Sequence, residues 1–239
     1  MSGAIGDAAA KFDVERAAAY EQQSRIALAG YEACHDLSAC MLAAALGSGT
    51  VARLLVVGAG GGAREIVTAG ALEPGWRFTA VDPSPAMMEL ARHRLAEQGL
   101  DRRTEIVLGT IEDVPDDATF DAATLIGVLH HLPGDTAKHE ILRAIARRLR
   151  PHAPLILAGN HYAYASEPLM LAAWGQRWRQ QGASAEAIEA KLGKILQGAD
   201  PPPSEAAVAV LLDGSGFGTP TRFFSSLFWG AWLARRRSA

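Results

Sequence analysis

A cluster of glycines directly after a short apolar run is the part of this chain best suited to bind a cofactor. Residues 54–57 are leucine and valine, and glycines follow at positions 58, 60, 61 and 62. This pattern predicts a buried strand, a tight turn and the start of a helix. Because glycine has no side chain, backbone atoms of the turn can approach a ligand closely, as they do in nucleotide sites. We therefore expect a nucleotide-type cofactor at this turn.

An acidic residue follows the next predicted strand and can serve the same ligand. Residues 76–81 are predicted to form that strand, and Asp82 comes directly after it, 20 residues beyond Gly62. The carboxyl ends of parallel strands meet at one edge of a sheet, where ligands bind. A carboxylate there can accept hydrogen bonds from both hydroxyls of a ribose. The alternative for Asp82 is an ordinary helix N-cap before Pro83 and Ser84.

Two further loops are expected at the same edge of the sheet. Residues 109–113 follow a third predicted strand and include Glu112, which suits the amino group of an adenine. Residues 127–133 follow a fourth strand and contain the adjacent histidines His130 and His131. Adjacent side chains diverge in direction and no further ligand cluster is evident nearby, so we expect no metal site.

The glycine loop alone does not identify the cofactor. Gly58, Gly60 and Ala63 also fit the fingerprint of a dinucleotide-binding turn, and Asp82 fits both interpretations. Three features argue against a dinucleotide: about 50 residues precede the first strand, the loop 109–113 is acidic, and the chain ends in a predicted hairpin. We therefore set aside a nicotinamide-dependent reductase.

The elements that position these loops alternate between strand and helix. Five strands are predicted before residue 160, at 53–57, 76–81, 104–108, 120–126 and 154–158. Two more, at 221–225 and 227–234, are expected to form an antiparallel C-terminal hairpin. The alternation predicts an α/β fold, namely a Rossmann-like, seven-stranded, mostly parallel sheet with an antiparallel C-terminal hairpin strand and helices on both faces.

Helices are expected to form the remaining parts of the chain. Helices over 11–29 and 32–46 are expected to make residues 1–49 an N-terminal helical lid. Residues 50–239 would then form the cofactor-binding domain, in which residues 160–200 are a helical insertion.

Composition limits the classes of partner. The chain has 239 residues, of which 49% are hydrophobic, and a formal net charge of −3. This charge makes nucleic acid an unlikely partner, and the run Arg235–Arg237 is interpreted as a solvated tail. No apolar stretch is long enough for a membrane span, and residues 1–10 lack the pattern of a signal peptide. Cys34 and Cys40 are expected to be free thiols, so we expect a cytoplasmic protein.

Four segments together resemble the class I S-adenosylmethionine (SAM)-dependent methyltransferases. They are residues 56–62, 81–87, 109–113 and 127–133, and the resemblance covers about residues 50–160. It implies that SAM is the cofactor and that a methyl group moves to a small-molecule acceptor. A homodimer is compatible with the sequence, which does not decide the oligomeric state.

The resemblance also implies which part of SAM each matching residue meets. The methionine part would lie against Gly58, Ala59 and Gly60, with Arg25 and Tyr31 over its end, and Ile126 and Gly127 would lie behind the sulfonium. Asp82 would bind the ribose. The adenine would have Pro83 and Met87 at its face and Thr110, Ile111 and Glu112 at its edge.

The chain departs from the family pattern at Val56, where an acidic residue is usual. The group that holds the methionine ammonium is therefore missing or supplied elsewhere. Segments near both ends of the chain further resemble the carboxy-SAM synthases that serve tRNA modification. That branch is expected to have an amide near Ile126 and an arginine near Gln180, and neither is evident, although Arg177 and Arg179 are close. These departures favour ordinary SAM.

No fixed catalytic signature is expected, because the sulfonium is already a good leaving group and the enzyme mainly aligns donor and acceptor. A general base is needed only for an un-ionised acceptor, and the candidates are His131, His161 and Tyr31. The spacing of Trp174 and Trp178 predicts a buried helix face more than a substrate box. We expect the acceptor pocket between residues 12–46 and 160–198. A SAM-binding protein without catalysis is the remaining alternative.

Overall fold

The computed structural model describes the backbone of residues 14–238 and the side chains of residues 21–238. In this part of the chain the α-helices are α1 (Val14–Ala27), α2 (Tyr31–Leu46), α3 (Arg64–Leu72), α4 (Pro85–Glu97), α5 (Gly134–Arg148), α6 (Pro168–Gln180), α7 (Ala185–Gly198) and α8 (Glu205–Asp213). The strands are β1 (Arg53–Val57), β2 (Arg77–Asp82), β3 (Thr104–Leu108), β4 (Ala122–Ile126), β5 (Pro154–Asn160), β6 (Thr221–Ser226) and β7 (Trp229–Arg235). Residues 11–13 of the predicted first helix lie outside the described residues.

The seven strands form one sheet in the order β3-β2-β1-β4-β5-β7-β6. Strands β1 to β5 are parallel to one another, whereas β7 pairs antiparallel with both β5 and β6. The predicted sheet and its C-terminal hairpin are therefore confirmed. The strand order reverses at β1, since β2 lies on one side of it and β4 on the other. The crevice at such a reversal is where open α/β sheets bind ligands.

Hydrophobic residues bury both faces of the sheet. Leu54 and Val56 belong to the core that includes α2 and α3, and Leu55 and Val57 to the core under α5 and α8. All seven residues of β5 are buried, as expected for a strand covered on both faces. Burial on both sides explains why these strands are almost continuously apolar in the sequence.

Arg235 and Arg237 near the C-terminus are exposed, as expected, but they are attached to the fold, so the interpretation of this run as a tail was wrong. Arg235 belongs to β7 and donates to the carbonyl of His152 at 3.1 Å. Arg237 forms an ion pair with Asp213 on α8 at 2.6 Å. These bonds tie the exposed side chains of Arg235 and Arg237 to neighbouring elements of the fold.

Both cysteines are free thiols, as predicted, with Cys34 buried and Cys40 exposed. Burial raises the pKa of Cys34 to about 12, so this thiol stays protonated and unreactive at physiological pH. None of the helices in the described part of the chain is long and apolar enough to cross a membrane.

Candidate functional site

Glycines end three of the parallel strands at the same edge of the sheet. Gly58, Gly109 and Gly127 directly follow β1, β3 and β4, with φ of 75°, 155° and 75°. At Gly58 a side chain is excluded by space as well as by conformation. A Cβ there would lie 2.2 Å from Cγ2 of Val128, which follows β4. The turns after β1 and β4 are therefore packed against each other at the crevice.

The glycine loop after β1 is held by the end of β2. The N–H groups of Gly58 and Ala59 both donate to the carbonyl of Val81, at 2.8 and 3.1 Å. The N–H of Gly60 donates to Oδ2 of Asp82 at 3.0 Å. A Cβ at Gly60 would meet no atom within 4 Å. The loop thus leaves open space directly beside the Asp82 carboxylate.

Asp82 is oriented as a bidentate acceptor at the end of β2. Its Oδ1 accepts from the N–H of Ser84 at 2.9 Å, while Oδ2 accepts from the loop, and the residue is only 8% exposed. Burial raises the pKa of this carboxyl, and the two backbone hydrogen bonds oppose that shift. Each oxygen keeps a further lone pair for a ligand hydroxyl. The N-cap of α4 is Ser84, whose Oγ accepts from the N–H of Met87. Asp82 is therefore not needed as the cap.

The loop after β3 is closed by Asp113, a residue that the sequence reasoning did not single out. Its Oδ2 accepts from the N–H of Thr110 at 2.7 Å and lies 2.3 Å from where a Cβ of Gly109 would be. Glu112 is instead 61% exposed and pairs with Arg147 at 3.5 Å. The available signal was the Thr-x-x-Asp spacing, which is typical of a capping box.

A buried arginine fixes the far end of this loop. Arg148 is 1% exposed, and its Nε and Nη2 donate to the carbonyl of Val114 at 3.0 and 2.7 Å. Its Nη1 donates to the carbonyl of Ala144 at 3.1 Å, and Asp116 lies 2.9 Å from Nη2. The guanidinium therefore joins α5 to the segment that continues from the loop containing Thr110 and Ile111.

The residues expected around the adenine and the sulfonium also lie at this edge. Met87 is buried, and its Sδ would lie 3.2 Å from a Cβ at Gly61, so it supports the glycine loop. Pro83 is half-buried, whereas Ile111 and Ile126 are buried. Next to Ile126, a Cβ at Gly127 would lie 3.6 Å from the ring of Trp229. The site is thus bounded by β7 as well as by the parallel strands.

Helix α1 carries a charged group against the glycine loop. The Glu21 carboxyl carbon would lie 3.4 Å from a Cβ at Gly62. Arg25 pairs with Glu21 at 2.8 Å and with Glu32 on α2 at 2.6 Å, and its guanidinium lies 5.0 Å from the ring centre of Tyr31. The structure therefore brings Arg25 and Tyr31 together, next to the glutamate that lies against the loop.

Polar atoms without partners lie beside the ends of β4, β5 and β7. They are Nδ1 of His130, Oδ1 of Asn160 and Nε1 of Trp229, each in a buried side chain. The His130 ring lies 5.5 Å from Trp229 and 4.2 Å from the exposed His131. Burial, and then the charges of His131 and Lys138, hold the pKa of His130 well below its usual value. His130 is therefore a neutral imidazole at physiological pH.

His161 has a different setting from the other histidines. It is completely buried, its Nδ1 lies 3.0 Å from the carbonyl of Phe228, and its ring packs edge-on against Trp232 at 4.9 Å. Burial lowers its pKa. No group of three or more metal-ligating side chains occurs between residues 21 and 238.

Residues of the two predicted acceptor segments meet around one cavity. It has a volume of about 260 Å³ and lies between α1, α6 and α7, with Gln23, Ile26, Trp178 and Lys191 among its lining residues. Trp174 and Trp178 are both buried, 5.2 Å apart between ring centres, so the predicted buried helix face is confirmed.

Comparisons with known proteins identify the central part of the chain. Residues 55–155 match the family model described as a methyltransferase domain. A ubiquinone biosynthesis O-methyltransferase of Xanthomonas oryzae pv. oryzae is 34% identical over 109 residues, which are 45% of this chain and 42% of the relative. The match thus spans less than half the length of the curated relatives.

Two solved structures illustrate the shared fold. Mitomycin 7-O-methyltransferase has a TM-score of 0.59 and 24% identity, and the alignment covers 84% of this chain and 53% of that chain. Human N-acetylserotonin methyltransferase, solved in complex with SAM, has a TM-score of 0.58 and 15% identity, covering 84% and 52%.

Proposed function

Because residues 55–155 form a methyltransferase domain of the class I SAM-dependent superfamily, we propose that this chain transfers a methyl group from SAM to an oxygen of a small-molecule acceptor. The observation that carries the proposal is the Asp82 carboxylate, fixed between the Gly60 and Ser84 N–H groups beside the glycine loop. When bound, SAM would supply a sulfonium-activated methyl group, which the acceptor oxygen takes by in-line attack at the methyl carbon as the neutral thioether leaves.

The residues at the sheet edge fit this cofactor. Asp82 would accept the two ribose hydroxyls through its remaining lone pairs, and the open surface at Gly60 would admit the ligand. Pro83, Ile111 and the loop that Asp113 closes would flank the adenine. Arg25 would bind the carboxylate of the methionine part, since its guanidinium pairs with Glu21, which lies against Gly62.

The acceptor would place its hydroxyl near the ends of β4 and β5. Buried polar atoms without partners destabilise a protein by about 1–3 kcal/mol each, so a cluster of them points to a missing ligand. His130, Asn160 and Trp229 form such a cluster next to Gly127. We assign to His130 the role of accepting the proton of the hydroxyl, as its neutral imidazole allows.

The curated relatives favour a ring hydroxyl as the acceptor group, because they are named for O-methylation in ubiquinone biosynthesis. The cavity between α1, α6 and α7 would receive the rest of the acceptor. Lys191 lines this cavity and forms no ion pair with any described residue. An anionic substituent of the acceptor, such as a carboxylate, would therefore pair with Lys191.

Calorimetry with S-adenosylhomocysteine (SAH) and a methyl-transfer assay test the proposal. We expect SAH to bind, NAD not to bind, and methylation of at least one catechol or phenol carboxylate such as 3,4-dihydroxybenzoate. Absence of SAH binding would refute the proposal. Binding of SAH without transfer to any compound of the panel would favour the non-catalytic alternative.

Replacing His130 with phenylalanine is expected to lower kcat by a factor of about 10²–10⁴, the usual contribution of a general base, and to leave SAH binding unchanged. Parallel measurement of kcat for His131→Phe tests one of the three candidate bases named from the sequence. His93→Phe, on the exposed surface of α4, is the matched control for loss of an imidazole. If His130→Phe keeps the full kcat, His130 is not the general base and another residue must accept the proton.

The pH dependence of kcat follows from the lowered pKa of His130. A base works in its deprotonated form, and a depressed pKa moves the loss of activity to more acidic pH. We expect kcat to stay constant as pH falls from 8 to 6. A loss of activity centred near pH 6.5 in this range would show that a histidine with an ordinary pKa is the base.

The carboxy-SAM alternative has no specific support from the arginines that would carry it. Arg177 donates to Gln180 at 3.2 Å and to the carbonyl of Arg25 at 3.4 Å, and Arg179 is exposed. We therefore retain ordinary SAM, with the described helices α1 and α2 as the lid over it.

A further inference from the structure

A small cavity lies between α2, α3 and the sheet, and its lining includes the strand that leads into the glycine loop. Its volume is about 10 Å³, and polar and apolar groups share its lining. The polar members include Glu65 from the first turn of α3, and the apolar members include Val56 from β1. Thr124 also lines it, and its Oγ1 is buried without a hydrogen-bond partner. A cavity of about this size can hold one water molecule when polar groups line it.

The Glu65 carboxyl has no counter-ion among the described residues. Its own backbone N–H is the one group that lowers the pKa of this carboxyl. The titratable groups that face it are Cys34 and His35 from α2, Asp82 from β2 and the neighbouring Arg64, and none of them forms an ion pair with it. Burial, and then the nearby charge of Asp82, raise the pKa of Glu65 to about 8.

A buried carboxylic acid without a partner destabilises the protein when it ionises, so a cation must compensate it. The site beside it is expected to receive the methionine part of SAM, which carries an ammonium group. Glu65 is half-buried and follows Gly62, the last glycine of the loop, by three residues. Val56 lines the same cavity but offers no charge.

We propose that Glu65 supplies the carboxylate that pairs with the ammonium group of SAM, the role that Val56 leaves open. This inference rests on the proposed function. It places the acid on the helix that follows the glycine loop instead of on β1. The partial positive charge at the start of α3 also favours an anion there.

Proton release on binding follows from this pairing. Free Glu65 is mostly protonated at pH 7 and would ionise when the ammonium arrives, so binding would release about one proton. Because the ligand selects the ionised form, lowering the pH below 8 weakens binding, by up to tenfold per pH unit.

Calorimetry of Glu65→Gln with two ligands tests the proposal. SAH carries the ammonium, whereas 5′-methylthioadenosine lacks the amino-acid part and keeps the adenosine. We expect Glu65→Gln to weaken SAH binding by about 10–100-fold and to leave the binding of 5′-methylthioadenosine unchanged. The matched control is Glu89→Gln on the exposed side of α4, which should change neither affinity.

Titrations of SAH at pH 7 in buffers with different ionisation enthalpies give the second measurement. We expect the wild type to release about one proton and Glu65→Gln to release almost none. Equal proton release by both proteins, an unchanged SAH affinity, or an equal loss for both ligands would overturn the role of Glu65. If the wild type binds neither ligand, the proposed function itself is refuted.

Discussion

Replacing Asp82 with alanine is expected to weaken the binding of SAH by about 100-fold or more. The variant loses an acceptor for both ribose hydroxyls, and hydrogen bonds to a charged group contribute about 1.5–3 kcal/mol each. It also releases the N–H of Gly60, which Asp82 now holds at 3.0 Å. Calorimetry with SAH measures the effect.

Comparing SAH with 5′-methylthioadenosine separates the role of Asp82 at the ribose from the role of Glu65 at the ammonium group. Because the ribose is present in both ligands, Asp82→Ala should lose SAH and 5′-methylthioadenosine together. Asp113→Ala is an informative comparison, since it opens the loop after β3 without touching the ribose acceptor. If the Kd of Asp82→Ala for SAH stays within about threefold of the wild-type value, which is about 0.7 kcal/mol, Asp82 does not bind the ribose.

Replacing Arg148 with methionine is expected to lower the free energy of unfolding by about 2–4 kcal/mol. Methionine keeps most of the apolar stem but leaves the buried carbonyl of Val114 without its two guanidinium donors, at about 1–3 kcal/mol for a buried unsatisfied group, and it also removes the ion pair with Asp116. For a chain of this size the loss corresponds to a fall in Tm of about 5–12 °C. Thermal and urea unfolding measure it.

The neighbouring arginine provides a matched control. Arg147 is 55% exposed and pairs only with the exposed Glu112, so Arg147→Met should change stability by no more than about 0.5 kcal/mol. Equal effects of the two variants would show that the buried hydrogen bonds of Arg148 contribute little. Loss of the Val114 anchor should also weaken SAH binding, because the loop flanks the adenine end of the site.

Much of the fold could be predicted because its signals are local. The apolar run before Gly58 and the strand that ends at Asp82 both place their residues correctly at the sheet edge. Ser84 and Pro85 similarly mark the start of α4. Each of these patterns depends on the backbone conformation of a few neighbouring residues, and the types of those residues indicate that conformation directly.

The side-chain partners could not be predicted because they come from distant parts of the chain. Glu112 and Asp113 are equivalent in sequence, and only Arg147 and Arg148, on α5, draw the first away from the loop. The isolation of Glu65 likewise depends on α2 packing over α3. The roles of the residues around the cofactor remain predictions, which the variants above address.

The position of β7 has a consequence for how the protein is made. This strand lies inside the sheet, between β5 and β6, and its Trp229 bounds the crevice at Gly127. A ribosome must therefore add residues 161–235 before β5 gains its second neighbour. Until then a strand that is buried throughout in the finished fold has an unpaired edge, which is prone to pair with other chains. The acceptor side of the crevice would thus be the last part of the domain to form during translation.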